Sequence, residues 1–578
     1  MNKFTYILCT VLTLMLLGVS GSLLAQSWQW AVAPLSAGAG SSTITATTLD
    51  NAGNTVVAGN FSGTLTLGGF TLVSAGTQDL FVARISNAGV WLAVTTAQAT
   101  GSGSVAPTVL ACQANGEVIV GGSFSGTTVR FGNTTLTNSD VANPTTYDLF
   151  VARLSSAGQW TQAVRAGGPK GETIQSLLVD AAGNIVVGGG FAGQQCRFGT
   201  FSLNNVDTGP YPSLDIFVAR LSAAGTWTQA VGLGSGGGEY VTGMAFLSDG
   251  TVAVTGEFNS YVLQFGTTPL LYNSGYYAGA YTYATLFVAR LNPAGTWVSA
   301  FGTYAPGAVH PQALVADQNG DVVIAGYFSS STVRFGSTPV LTNTNPNSDG
   351  FVARLNGLTG TPSWTQATQC GAVGFDKINT LALDAAGNAI VTGSFTGATT
   401  RFGSIVLTNT TTASPDYNPE DIFVARLSRA GSWTHALQAG GTSYDIAHGA
   451  TIDAQGQTLV VGTAVLPAAF GSIALAGGTS GKTSGFVARV GGLPLATAPQ
   501  RSIELLAIAP NPATTTVTVT LPSEAQPRLL HVVDALGRNV RSQVVPAHGT
   551  SVVLNVAGLH SGLYVVHCGS GAARFLIE

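Results

Sequence analysis

The chain has 578 residues, of which only 8% are charged, and its formal net charge is −4. An average soluble protein is about 25% charged, and without a basic excess the chain has no patch to hold a nucleic-acid backbone. The hydrophobic content of 45% excludes a disordered chain, and 75 glycines favour many short strands joined by tight turns over helices.

Residues 1–25 have the pattern of a secretory signal peptide. Lys3 supplies a positive charge, residues 4–19 form an apolar run, and we expect cleavage after Ala25. A retained membrane anchor is the alternative, but the run is short and no stop-transfer charge cluster follows it. No later apolar stretch is long enough to span a bilayer, so we expect a mature chain without a transmembrane span that leaves the cytoplasm.

The motif F-V-A-R occurs seven times between residues 81 and 489, at spacings of 63 to 72 residues. This period indicates a repeat architecture over residues 26–489. In the unit 376–438, apolar segments at 378–384, 389–395, 421–427 and 433–437 are separated by turns, the first being A-A-G-N. Four antiparallel strands per repeat are typical of one blade of a β-propeller.

The tryptophans predict how the repeats are joined. A tryptophan follows the first six F-V-A-R motifs but not the seventh, whereas Trp28 begins W-Q-W-A-V without an F-V-A-R before it. We therefore expect the N-terminal strand to pair beside residues 486–489 and complete the seventh blade. Such pairing closes the ring and removes two exposed sheet edges.

These motifs resemble a bacterial β-propeller repeat family with D-A-F-V-A-K-L units. The resemblance covers roughly residues 27–489 and rests on D-x-F-V-A-R-L, A-G-x-W and D-A-A-G-N. It implies an all-β, seven-bladed propeller of four-stranded blades. A recurring F-G segment, as at Phe402-Gly403, departs from the shorter family repeat and is expected to form an extra edge hairpin.

The repeat signature stops after Arg489. Residues 490–501 form a Gly/Pro/Ala linker, and residues 502–578 contain alternating strands with Pro and Gly turns, typical of a small Ig-like β-sandwich. The motifs P-N-P at 510–512, G-R at 537–538 and G-L-Y-V-V at 562–566 resemble the C-terminal sorting domain of the type IX secretion system. That resemblance implies a partner in the type IX machinery and a secreted or outer-surface protein of a Gram-negative bacterium. An ordinary Ig-like binding module is the alternative.

The arginine of every F-V-A-R motif has two interpretations. A ring of arginines is able to bind carboxylates or sulfates, but a residue repeated in every blade is more typical of architecture. In the structural interpretation each arginine pairs with the aspartate that precedes five of the motifs, Asp79, Asp148, Asp215, Asp349 or Asp421. The repeated arginines are Arg84, Arg153, Arg220, Arg290, Arg354, Arg426 and Arg489.

Two non-repeating features fall on the face with long, variable loops, where ligands are expected. Glu172, Glu239, Asp376 and Asp445 occupy the start of the innermost strand in four blades. Four carboxylates around one mouth are suited to Ca²⁺, which takes oxygen ligands; the alternative is a solvated rim. No other cofactor is expected.

The second feature is a tyrosine-rich loop in the fourth blade. Tyrosine offers a large contact area with a polar tip, which suits a glycan or protein surface. The alternative is a loop that packs on its own blade. The tyrosines are Tyr272, Tyr276, Tyr277, Tyr281 and Tyr283.

Catalytic motifs are missing from the sequence: it contains no H-E-x-x-H, C-x-x-C or G-x-S-x-G, and the repeats hold only His310, His435 and His448. The cysteines do not recur in paired spacings, so neither a disulfide framework nor a zinc site is expected. We predict a monomeric binding or scaffold protein for an extracellular glycan or protein. The alternatives are a carbohydrate-active enzyme on a propeller and a structural adhesin.

Overall fold

The computed structural model describes residues 26–207, 209, 213–271, 283–303, 305–343, 345, 347–358, 362–410, 419–477, 481–491, 506–523, 526–534, 538–568 and 571–578. The predicted signal peptide and most of the linker lie outside these ranges. The chain divides into two compact units, Met1–Leu493 and Pro494–Glu578. Both units are all-β in the described ranges. Among these residues, no helix is long and apolar enough to cross a membrane.

The described residues of unit 1 include seven sheets that each have four main antiparallel strands, paired in the order first, second, third, fourth; short two-stranded hairpins accompany them. The strands, in that order, are Leu35–Leu49, Thr55–Leu67, Asp79–Ile85 and Trp91–Ala99 in sheet 1; Val105–Cys112, Val118–Phe124, Asp148–Leu154 and Trp160–Ala166 in sheet 2; Glu172–Val179, Ile185–Phe191, Asp215–Leu221 and Trp227–Leu233 in sheet 3; Glu239–Phe246, Val252–Phe258, Thr285–Leu291 and Trp297–Gly302 in sheet 4; Val309–Ala316, Val322–Phe328, Asp349–Asn356 and Ser363–Cys370 in sheet 5; Asp376–Leu383, Ala389–Phe395, Asp421–Leu427 and Trp433–Gly441 in sheet 6; and Ile446–Ile452, Thr458–Val465, Thr483–Val490 and Trp28–Val32 in sheet 7.

The turn between the first and second strands shows why the D-A-A-G-N pattern makes a hairpin. In sheet 6, Oδ1 of Asp384 accepts hydrogen bonds from the backbone N–H groups of Ala386 and Asn388, both at 2.9 Å. Gly387 has a φ of 77°, in the left-handed region that glycine adopts without strain. The aspartate side chain therefore replaces part of the strand pairing where the chain reverses.

The F-G segments form short hairpins between the second and third strands, as predicted. In sheet 6 the hairpin pairs Thr399–Phe402 with Ile405–Thr408. The ring of Phe402 packs edge-on against Trp433 with centroids 5.1 Å apart and lies 5.0 Å from the ring of Phe423. The hairpin phenylalanine therefore joins the third and fourth strands of its sheet through aromatic contacts.

The N-terminal strand Trp28–Val32 pairs antiparallel with the F-V-A-R strand of sheet 7, which confirms the predicted pairing of the N-terminal strand beside residues 486–489. Nε1 of Trp28 donates to the carbonyl of Gln438 in sheet 6 at 2.9 Å. Nε1 of Trp30 donates to the carbonyl of Asn87 in sheet 1, also at 2.9 Å. This one strand therefore bonds to both neighbouring sheets.

The first strands of the seven sheets are also neighbours of one another. Contacts join the first strands of sheets 1 and 2, 2 and 3, 3 and 4, 4 and 5, 5 and 6, 6 and 7, and 7 and 1. Glycines in the second strands permit this close approach: a Cβ on Gly188 of sheet 3 would lie 2.8 Å from Sδ of Met244 in sheet 4.

Unit 2 contains a three-stranded and a four-stranded antiparallel sheet around its own apolar core. Asn511 of the P-N-P motif accepts a hydrogen bond from the N–H of Leu576 at 2.8 Å and donates to the carbonyl of Arg574 at 3.2 Å, which ties the first segment to the last strand. The strands, in spatial order, are Ala507–Ala509, Thr516–Thr520 and Ser551–Asn555, then Asn539–Val545, Arg528–Val533, Gly562–Cys568 and Gly571–Ile577.

Candidate functional site

Every first strand carries a β-bulge at the same place, five residues before the position of the turn aspartate. In sheet 6, Ile378 and Thr380 pair with successive residues of the second strand, so Asn379 is left out of the ladder. A bulge re-aims the extra side chain and breaks the pairing locally. The residues at this position are Thr45, Thr108, Gln175, Thr242, Gln312, Asn379 and His448.

These seven bulge residues line one cavity of about 480 Å³, together with Pro107 and Tyr240. The volume lies within the usual range for small-molecule sites. The lining contains hydroxyl, amide and imidazole groups but no side chain with a formal charge at neutral pH. Burial lowers the pKa of His448 from its ordinary value of 6.5, which keeps its imidazole neutral.

Some of these polar groups are held by the protein, and others are open to a ligand. Oγ1 of Thr45 donates to the carbonyl of Pro107 at 2.7 Å, and Nδ2 of Asn379 donates to the carbonyl of Ala447 at 3.0 Å. Oγ1 of Thr242 is buried and has no hydrogen-bond partner among the described residues. Gln175 is exposed at the cavity wall.

Two residues before each bulge, a second layer of side chains breaks the sevenfold regularity. In sheets 1 to 3 and 7 this layer pairs small or aliphatic residues with small polar ones, whereas sheets 4 to 6 carry large or charged residues there. The cross-strand pairs, in sheet order, are Thr43–Asn60, Ala106–Ser123, Thr173–Gly190, Tyr240–Glu257, His310–Tyr327, Lys377–Ser394 and Ile446–Thr463.

The large side chains of this layer form one connected network, the polar wall, made of Tyr240, Glu257, His310, Tyr327 and Lys377. The hydroxyl of Tyr240 donates to Oε1 of Glu257, and Nδ1 of His310 lies 2.6 Å from Oε2 of the same carboxylate. The His310 and Tyr327 rings stack at 4.8 Å, and Nζ of Lys377 lies 5.5 Å from the centroid of the Tyr327 ring. Burial and the Glu257 carboxylate raise the pKa of Tyr240.

The repeated arginines have different partners from those predicted. Arg354 pairs with Asp317 of the turn after the first strand, with NH1 and Oδ2 3.0 Å apart, and its NH2 donates to the carbonyl of Gly387 in sheet 6. The predicted partner, Asp349, lies five residues earlier, about 16 Å away at the other end of the strand. The corresponding ion pairs are Arg84–Asp50, Arg153–Glu117, Arg290–Asp249, Arg426–Asp384 and Arg489–Asp453, while Arg220 bonds to Gln229 near Asp180.

The aspartate before the F-V-A-R motif instead fixes the long loops. Oδ2 of Asp79 accepts the N–H of Ala75 at 2.6 Å, and Oδ2 of Asp421 accepts the N–H of Thr410 at 2.8 Å. The pairing of Arg84, Arg153, Arg220, Arg354 and Arg426 with the aspartate of the same strand is therefore wrong, because the two side chains point to opposite ends and faces of one strand.

The four carboxylates predicted to hold calcium lie at 0–1% exposure rather than on a solvated rim. Each faces the F-V-A-R aspartate of the preceding sheet. A Cβ on Gly440 would lie against Oδ1 of Asp421 and 3.2 Å from Oδ2 of Asp445, so both carboxyl groups converge on a glycine. The four carboxyl pairs are Asp148–Glu172, Asp215–Glu239, Asp349–Asp376 and Asp421–Asp445.

Burial dominates the electrostatics of these carboxyl pairs. It raises the pKa of Glu172 to about 9, with a further increase from the Asp148 charge. It raises the pKa of Asp445 and of Glu239 to about 7 and that of Asp376 to about 6. Within the described ranges no three acidic, histidine or cysteine side chains form a group able to hold a metal ion. Calcium binding stays a prediction without a described ligand set.

The tyrosine loop is described only at one end. Tyr283 is 50% exposed, and Tyr272, Tyr276, Tyr277 and Tyr281 lie outside the described residues. Their role in ligand binding stays a prediction. The bulge residues were not predicted, although the signal was present: counting back five from the turn aspartate position gives a polar residue in all seven repeats.

Comparison with known families identifies the C-terminal region. Residues 507–576 match the model of the secretion system C-terminal sorting domain, which confirms the type IX sorting domain predicted there. The chain is thus a secreted or cell-surface protein that carries a signal for the type IX machinery. The search of curated proteins found no match.

Solved structures give weak similarities. A protein of unknown function from Dyadobacter fermentans DSM 18053 is 13% identical over 55% of this chain and 95% of its own, with a TM-score of 0.26. Sqt1 from Chaetomium thermophilum is 9% identical over 64% and 97%, with a TM-score of 0.29. A glycoside hydrolase family 32 structure from Bifidobacterium adolescentis is 11% identical over 96% and 94%, with a TM-score of 0.26. Similarities at this level support no conclusion about activity.

Proposed function

We propose that this exported protein is a closed seven-bladed β-propeller that binds an extracellular ligand in its polar cavity. Each four-stranded sheet is one blade. Three observations support the closed ring: the first strands contact each other in cyclic order, the N-terminal strand completes sheet 7, and NH1 of Arg489 in sheet 7 donates to the carbonyl of Asn87 in sheet 1 at 2.9 Å.

The observation that carries the binding function is the convergence of the seven bulge residues on one cavity. A bulge interrupts strand pairing and adds no apolar burial. Seven bulges that place seven polar side chains in one space therefore cost folding free energy, and a role in stability does not account for them. A polar cavity lined by both donors and acceptors is suited to a hydrogen-bonding ligand. The protein is then a binding module delivered to the cell exterior by its sorting domain.

The test is a binding screen with the purified mature chain against a glycan array and against proteins pulled down from the cell envelope. The Thr108→Trp variant fills the cavity, and Thr228→Trp, which places the same side chain on an exposed fourth strand, is the matched control. We expect binding by the wild type and the control and at least tenfold weaker binding by Thr108→Trp. Equal binding by both variants contradicts a ligand in the cavity, and turnover of a bound glycan assigns the protein to the carbohydrate-active enzymes instead.

A further inference from the structure

Resting on the proposed function, we infer that the cavity ligand is an uncharged carbohydrate and that His310, positioned by Glu257, binds one of its hydroxyl groups. The inference concerns the polar wall, which neither the repeats nor the sorting domain explains. It assigns a chemical class to the ligand and a specificity-determining contact to one side of the cavity.

The charge distribution favours an uncharged ligand. The bulge residues at the cavity lining carry no formal charge, and a charged ligand buried among them would lack the partner that offsets desolvation. The charged groups of the polar wall already have partners: Glu257 bonds to His310 and Tyr240, and burial raises the pKa of Glu420 while the nearby Lys377 lowers it. Hydroxyl groups, which both donate and accept, match the threonine and amide groups of the lining.

His310 lies two residues before the bulge residue Gln312 and connects through Glu257 to Tyr240, and both Gln312 and Tyr240 line the cavity. Its geometry leaves one ring nitrogen for the ligand. Its Nδ1 is engaged by Glu257, a residue only 7% exposed, whose carboxylate also accepts the hydroxyl of Tyr240. The stacked Tyr327 ring fixes the imidazole plane. Nε2 has no hydrogen-bond partner among the described residues, and the His310 side chain is 23% exposed. A carboxylate on one ring nitrogen is the arrangement that orients the other toward a bound group.

The asymmetry of the layer gives the ligand a single orientation. The opposite side, in sheets 2 and 3, carries Ala106, Ser123, Thr173 and Gly190. These small residues leave space, whereas Tyr240 and His310 present ring surfaces and polar tips. A sugar ring bound there places its apolar face toward an aromatic ring and its hydroxyl groups toward the histidine. Apolar surfaces then pack together while the polar groups form hydrogen bonds.

The experiment measures the affinity of the purified mature chain for neutral oligosaccharides, for their uronate and sulfated counterparts, and for monodeoxy analogues of each sugar that binds. The variants are His310→Ala, His310→Gln, which keeps a polar group near the Nε2 position, and Glu257→Gln. His435→Gln is the matched control, because His435 lies on the fourth strand of sheet 6, paired with Arg426 and outside the polar wall. Circular dichroism and thermal melting verify that each variant is folded.

We expect neutral sugars to bind, His310→Ala to weaken binding at least tenfold, Glu257→Gln to weaken it three- to tenfold, and His310→Gln to restore part of the loss. The wild type should bind one deoxy analogue about tenfold more weakly than the parent sugar. His310→Ala should bind that analogue and its parent equally, because the hydroxyl group that the analogue lacks has no partner in this variant. A purely structural role for His310 would not remove that discrimination.

Binding of acidic sugars only, or the same deoxy discrimination in His310→Ala as in the wild type, overturns the inference. If Thr108→Trp blocks binding while the His310 variants bind normally, the cavity function stands and this inference fails. If Thr108→Trp binds like the wild type, both fail.

Discussion

The two ends of the seven sheets differ in how their buried ionisable side chains are paired. At the turn end, where the first strands finish, each F-V-A-R arginine except Arg220 forms an ion pair with a carboxylate. At the loop end, where the first strands begin, four carboxyl groups each face another carboxyl group beside glycine. The same repeated register therefore produces opposite-charge pairs at one end and, at the other, carboxyl–carboxyl pairs in which burial favours the protonated form. The turn end should lose stability when one partner of an ion pair is removed. The loop end should lose stability when the pH rises and its buried carboxyl groups ionise.

The largest effect is expected from removing the strand that joins sheet 7 to its neighbours, because it pairs within sheet 7 and also bonds to sheets 6 and 1. Deleting residues 27–33 exposes the edge of Thr483–Val490 and removes the Trp28 contact with Phe470. We expect loss of cooperative unfolding of unit 1, measured by tryptophan fluorescence, since all eight tryptophans lie between residues 28 and 433. Trp28→Phe, which keeps the strand, should melt at an intermediate temperature. A deletion variant that melts like the wild type contradicts the closed ring.

At the turn end, Arg354→Ala leaves Asp317 buried without its main counter-charge. Removing one partner of a buried ion pair costs about 3–5 kcal/mol. The matched control is Arg429→Ala, because Arg429 lies 3.5 Å from the same carboxylate but its side chain is 49% exposed. The control should cost less than about 1 kcal/mol. Urea unfolding measures both free energies, and equal losses would show that burial does not distinguish the two pairs.

At the loop end, Glu172→Gln should raise stability at alkaline pH. Burial raises the pKa of Glu172 to about 9 in the folded state, above its ordinary value of 4.5. The stabilising contribution of its proton is therefore complete below about pH 4.5 and is lost as pH rises toward 9, at up to about 1.4 kcal/mol per pH unit. Glutamine carries no such proton, so the variant should gain on the wild type by a few kcal/mol between pH 5 and pH 9.

The measurement is urea unfolding at pH 5, 7 and 9. Asp445→Asn should show the same gain over a narrower range, since the pKa of Asp445 is raised to about 7. Parallel pH curves for the wild type and Glu172→Gln would contradict the buried carboxyl pairs.

The smallest effect is expected from calcium, which in the calcium hypothesis competes with protons for the carboxyl groups at the loop end. Calcium binding needs ionised carboxylates, so a rise in melting temperature of a few degrees should appear at pH 9 and be absent at pH 6. Melting curves with calcium and with chelator test this, and Glu172→Gln should reduce the rise. An unchanged melting temperature at both pH values removes the calcium hypothesis.

Sequence patterns predicted the elements that depend on neighbouring residues. The A-G-N turns, the F-G hairpins and the strand at Trp28 follow from local preferences for glycine, aspartate and alternating apolar residues. The sorting domain was identified from P-N-P, G-R and G-L-Y-V-V in a short stretch of chain. Each of these signals is contained within one repeat or one module, so it can be recognised without knowing which distant segments are in contact.

The tertiary structure was needed to show which side chains pair with one another. Arg354 meets Asp317, which precedes it by 37 residues, instead of Asp349 in its own strand, because the register of the second and third strands sets which side chains lie together. Glu172 is buried against Asp148 of another sheet, and Asn379 reaches the cavity through a bulge that pairing alone reveals. Local residue patterns were enough to predict the strands, the turns and export. The packing of distant strands decided burial, charge pairing and the cavity, since these depend on contacts between residues of different repeats.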